Sequence, residues 1–135
     1  MLLRARILYN VSSVNKFDYV DQAEFTQGDS VDIYFQLTDA NLDKAVAGYQ
    51  PAGRRYMPAD GATLSVKLDN IDDNIQVTRA ASQPFTQDPS IWKVSVLATD
   101  KIVGTCALVL TLTESGVVTN GRVDALVLIH STSCV

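Results

Sequence analysis

The stretch FTQGDSVDIYFQLTD, Phe25–Asp39, decides how the rest of this 135-residue chain reads. A Gly28-Asp29 turn leads into strict alternation, with Val31, Ile33, Phe35 and Leu37 on one side and Asp32, Tyr34, Gln36 and Thr38 on the other. A period of two is the signature of a strand with one buried face, because successive side chains leave opposite faces of the pleat.

The same pattern recurs to either side. Leu3, Ala5, Ile7 and Tyr9 alternate with Arg4, Arg6 and Asn10; Leu64, Val66 and Leu68 alternate with Thr63, Ser65, Lys67 and Asp69; and Trp92, Val94 and Val96 alternate with Lys93 and Ser95. Strands are expected at about 2–10, 22–27, 30–38, 62–69, 74–80, 91–98, 104–113 and 120–130. Gln27-Gly28-Asp29, Asp60-Gly61, Ser115-Gly116 and Asn120-Gly121 supply turn chemistry between them. About eight short strands with regular turns predict an all-β fold, an antiparallel β-sandwich of the jelly-roll or Ig-like kind, in one domain spanning 1–135. The longest connection, 39–61, is expected to be a loop with at most one short helical turn near Leu42–Ala47.

Composition narrows the function classes. Hydrophobic residues make up 47% of the chain and charged residues 19%, enough for a real core. A net charge of −4 removes the electrostatic attraction behind most nucleic-acid binding, so nucleic acid is not an expected partner. No apolar run approaches the ~18 residues of a membrane helix, and Arg4 and Arg6 interrupt the apolar start, so neither a membrane span nor a cleaved export signal is expected.

Chemistry-bearing motifs are sparse. His130 is the single histidine, and no nucleophile-elbow or phosphate-cradling sequence accompanies it. Cys106 shares a strand face with Leu108, Leu110 and Leu112 and reads as a small buried hydrophobe. The run Asp69-Asn70-Ile71-Asp72-Asp73-Asn74 offers oxygen ligands, but it lacks the spacing of a calcium loop and reads as an Asx-rich turn. No catalytic residue, metal ligand or cofactor site is assigned, and the chain is expected not to be an enzyme.

Contact surfaces are the remaining route to a function. The final strand is apolar on both faces, so Leu126 and Leu128 need cover from a loop or from a neighbouring subunit. The long loop carries Tyr49, Arg54, Arg55 and Tyr56, residue types enriched where interfaces gain most of their energy. These six residues are the interface candidates.

Several phrases together resemble small β-sandwich structural proteins of tailed bacteriophage virions, of the capsid-decorating or baseplate-adaptor kind. They are RARIL at 4–8, FTQGDSVDIYFQLTD at 25–39, RRYMPADGATLSVKL at 54–68, NIDDNIQVTRAASQPFTQDPSIWKVSV at 70–96 and TCALVLTLTESGVVTNGRVDALVL at 105–128. The resemblance covers most of the chain and brings no catalytic motif with it. It implies a multi-copy or homo-oligomeric virion component, made in the host cytoplasm, that docks on or bridges capsid, neck or tail proteins. The penultimate Cys134, in a polar tail, could then form an intermolecular disulfide once particles leave a reducing cytosol. The alternative is a carbohydrate- or receptor-binding module of a tail or fibre, which calls for aligned outward aromatics, of which the pattern supplies Tyr34.

Overall fold

The computed structural model describes residues 2–13, 16–20, 22–39, 54–70, 75–97 and 102–131. Ten strands run through them: β1 (Leu3–Ser13), β2 (Lys16–Val20), β3 (Gln22–Thr26), β4 (Val31–Asp39), β5 (Arg54–Arg55), β6 (Thr63–Asn70), β7 (Ile75–Ala80), β8 (Ile91–Val96), β9 (Gly104–Glu114) and β10 (Val117–His130). The fold is an all-β sandwich. One half is built on β4, which has β1 on one edge and β8 and β5 on the other; the second half runs β10-β9-β6-β7. The two are joined by pairing of β1 with β10, and an isolated bridge between Ser82 and Lys93 links them again.

The alternating rows meet in a single core. Leu3, Ala5, Ile7, Ile33, Phe35, Leu37, Trp92, Val94 and Val96 come from the first half; Leu64, Val66, Leu68, Cys106, Leu108, Leu110, Leu112, Val123, Val127 and Ile129 come from the second. The row read from Val31–Leu37 is therefore one wall of the core, with Phe35 and Leu37 fully buried.

Strand direction departs from the expectation in two places. Most pairings are antiparallel, but β1–β10 and β10–β3 are parallel. Alternation assigns a face to each residue and leaves direction open, which is why a wholly antiparallel sandwich was the natural expectation. A parallel neighbour needs a long connection, and here almost the whole chain separates β1 from β10.

The β1–β10 pairing is short. Leu3, Ala5 and the intervening Arg4 lie opposite Gly121, Val123 and Arg122, and then the strands part. β1 continues beside β2, with Leu8 opposite Tyr19, while β10 continues beside β3, with Leu128 opposite Glu24. β2 runs back toward the fork and β3 runs out of it again, so the segment 16–26 fills the gap. The alternation in KFDYV, absent from the expected strands, becomes β2 because it lies in hairpin register with β1.

Three further expectations change. Asn120-Gly121 is not a turn: both residues lie within β10, and the reversal is made at Ser115-Gly116. Gly121 is there for close approach, since a Cβ would stand 2.7 Å from Leu3 Cβ and 2.8 Å from its Cγ, and nearer still to the Leu3 carbonyl oxygen. Tyr9, expected inward, is 59% exposed, because β1 has left both β4 and β10 at that point. Within the expected 39–61 loop, Arg54–Arg55 form a short strand against Thr38 and Asp39; residues 40–53, with the anticipated helical turn and Tyr49, lie outside the described residues.

Two substitutions test this packing in urea unfolding. Gly121→Ala should cost about 1–3 kcal/mol by overpacking against Leu3, and Leu110→Ala about 2–5 kcal/mol by leaving a cavity between the layers.

Candidate functional site

Arg55 and Tyr56, both interface candidates, are used largely inside the molecule. Arg55 Nη1 lies 2.9 Å from Asp88 Oδ2; the Asp88 side chain is 4% exposed, whereas that of Arg55 is 53% exposed. Asp88 Oδ1 also accepts from the Ser90 backbone N at 3.1 Å and from Ser90 Oγ at 2.5 Å, so its buried charge is well met. Leu37 N donates to the Ser90 carbonyl at 2.8 Å, and the Leu37 carbonyl accepts from Tyr56 N at 2.8 Å. The Tyr56 hydroxyl donates to Glu114 Oε1 at 2.6 Å, and Ala59 N donates to Glu114 Oε2 at 2.8 Å. Arg55 and Tyr56 thus clasp the end of β4 to the 86–90 turn and to β9.

The hydrogen bond to Glu114, with partial burial and the charges of Glu114 and Asp39, pushes the Tyr56 phenol up to about 12. Burial, with the charge of Asp69 behind it, pushes the Cys106 thiol up to about 11 and leaves it a poor nucleophile.

Of the other candidates, Leu128 is half-buried on β10 opposite Glu24 and Thr105. The backbone of Leu126 pairs with Gln22 and Ala107, and that of Arg54 with Asp39. β3 and β9 pair with both edges of β10, which leaves the expected cover of its outward face by a loop or a neighbouring subunit as it stood. Tyr49 and Cys134 lie outside the described residues. His130 is exposed at the end of β10, with Nε2 3.9 Å from Glu24 Oε2.

A feature missed in the sequence occupies the outer face of β2, β1, β4 and β8. Register places Tyr19, Leu8, Tyr34 and Lys93 side by side in one row across these four strands, and Arg6, Gln36 and Ile91 in the next. Tyr19 leans across β1: its hydroxyl donates to Gln36 Oε1 at 2.9 Å, and the Arg6 guanidinium carbon sits 3.7 Å from the centre of its ring. That is cation–π distance. Phe17 meets the Tyr19 ring edge-on, with centroids 5.6 Å apart. Leu8, outward in the alternation, is buried between its tyrosine neighbours.

Beyond Leu8 the β1–β2 hairpin has no other strand beside it among the described residues, and it carries Tyr9 and Tyr19, 59% and 40% exposed. The signal for this face was the alternation in KFDYV beside RARIL, readable only once the two are known to pair.

Two clefts open among the described residues. One, about 500 Å³, opens where the hairpin leaves β4, with Ile7, Val20, Phe25 and Ile33 in its lining. The other, about 450 Å³, lies over β1, β10 and β9 with Arg4 and Arg122 at its rim. Among the described residues, no group of three or more His, Cys, Asp or Glu is placed to hold a metal ion, and no helix is long and apolar enough to cross a membrane.

Two measurements check these assignments. The native protein should show no Cys106 modification by a thiol reagent at neutral pH in a Cys134→Ser background, and one thiol after denaturation. For Tyr56, a folded pKa above the unfolded value gives stability that is intact below pH 10 and lost as pH rises toward 12. Glu114→Gln should lower the phenol pKa, read by phenolate absorbance, and flatten that alkaline loss. Compared with protein families, curated proteins and solved structures, the chain shows no match.

Proposed function

We propose that this chain is a non-enzymatic structural component of a tailed-phage particle, present in several copies, that docks on or bridges capsid, neck or tail proteins. The observation that carries the docking part is the β1–β2 hairpin, which leaves the sandwich after Leu8 and presents Tyr19 with its Arg6 stack on one face and Tyr9 on the other. Tyrosine and arginine are the types that anchor protein interfaces, and a rigid ring held by Gln36 and Arg6 loses little freedom on binding. The placement in a phage particle rests on the resemblance of the strand phrases.

Because Tyr19 also holds Gln36 and Arg6, melting temperatures of the variants are needed to separate a loss of binding from a loss of stability. In infected cells the protein should co-sediment with particles on a gradient. Tyr9→Ser combined with Tyr19→Ser should reduce the particle-bound fraction about tenfold or more, since loss of one or two anchors costs ~2 kcal/mol or more. Wild-type protein found only in the soluble fraction would refute the reading. Non-reducing gels of purified particles add a check on Cys134: a dimer band that disappears in Cys134→Ser is the expected result of a cross-link.

A carbohydrate-binding module is the second reading, favoured by Tyr19 and Tyr34 sharing one row on the outer face. Glycan binding by the isolated chain, lost in Tyr34→Ala with hairpin tyrosines intact, would select it over docking.

A further inference from the structure

The second cleft holds an arrangement that the fold alone does not favour. Arg4 on β1 and Arg122 on β10 are direct cross-strand partners, and like charges placed opposite one another are destabilising. The row continues through Val109 on β9 to Lys67 on β6. Three cations therefore share four adjacent strands on the outer face of a chain whose net charge is −4. Among the described residues neither Arg122 nor Lys67 has a hydrogen-bond or ion-pair partner. Arg4 is engaged within the protein, so the open cations of the row are Arg122 and Lys67.

The groove is lined by Arg4, Arg122, Asp69, Ala107 and Val109, with Lys67 next in the row beyond that lining. Ala107 and Val109 form its floor beside the backbone of Gly121, whose Cβ would point toward Leu3 on the core side. β10 is irregular directly after Arg122, where its register against β9 shifts before Leu126. Bulges of this kind re-aim side chains and recur beside binding sites.

We infer that this groove is a docking site for an extended acidic segment of a partner protein, whose carboxylates are taken by Arg122 and by Lys67 beyond it. In an extended segment, acidic residues two apart face the same way at about 6.6 Å, a spacing long basic side chains on neighbouring strands can bracket. Arginine binds carboxylate through paired N–H donors, and the apolar floor takes the stems and side chains between the acids. A nucleic acid fits less well: Asp69 lines the same groove, and a net charge of −4 disfavours a long polyanion.

The inference rests on the docking reading only in taking the occupant to be a protein. Binding of a short fluorescent peptide alternating Glu and Val is the test, measured by anisotropy against the folded chain. Wild type should bind it, and not a Lys-Val counterpart. Raising salt from about 50 to about 200 mM should weaken binding severalfold. Arg122→Ala should weaken it about tenfold, with an unchanged melting temperature showing that the fold is intact, and Asp69→Asn should strengthen it. Absence of peptide binding to wild type, or binding by Arg122→Ala and by Lys67→Ala as tight as by wild type, would overturn the proposal. So would a single-stranded oligonucleotide or inorganic phosphate displacing the peptide at equal or lower concentration. Because the hairpin variants are read by particle sedimentation and the groove variants by peptide binding, either reading can fail while the other stands.

Discussion

The short parallel contact between β1 and β10 holds the molecule together. Among the described residues, the two halves of the sandwich share backbone pairing where Leu3, Arg4 and Ala5 lie against Gly121, Arg122 and Val123, and again at the single Ser82–Lys93 bridge. Leu3 packs so closely that position 121 has no room for a Cβ. This contact aligns the inward row of β1 with that of β10, so that Leu3, Ala5, Val123 and Val127 enter one core with Phe35 and Leu110. It also sets the two arginines opposite each other, so the constraint that closes the fold creates the charged groove.

The same contact explains the hairpin. Because β1 and β10 part after Ala5 and Val123, each needs a new neighbour, and the segment from Lys16 to Thr26 provides both. One consequence is an arm that leaves the body of the sandwich with aromatic rings on it. Another is the apolar cleft beneath that arm. Exposed surface of this kind sits where the strand pairing changes partner, whereas the end of β4 is closed by Arg55, Tyr56, Asp88 and Glu114.

The candidate contacts divide along that line. Arg55 and Tyr56 carry residue types common at interfaces, and each also makes a side-chain contact within the chain, Arg55 to Asp88 and Tyr56 to Glu114. Tyr19 and Arg6 were unremarked in the sequence because each looked like an ordinary outward residue of its own strand. Their meeting depends on the hairpin register that puts Tyr19 beside Leu8, two residues on from Arg6. Composition identifies residues capable of recognition; only their positions show which remain available for it.

Local alternation determined what a period of two can determine. Val31, Ile33, Phe35 and Leu37 face the core, as do Leu64, Val66, Leu68 and Cys106, because burying one face of a pleat drives every second residue inward. Alternation is blind to strand direction and to which strand lies alongside, since both depend on contacts far apart in the chain. The parallel pairing of β1 with β10, the role of Gly121 within a strand and the rows Tyr19–Leu8–Tyr34 and Arg122–Arg4 were therefore decided by the tertiary structure. Each is a relation between distant segments, fixed only when the two layers close on a common core.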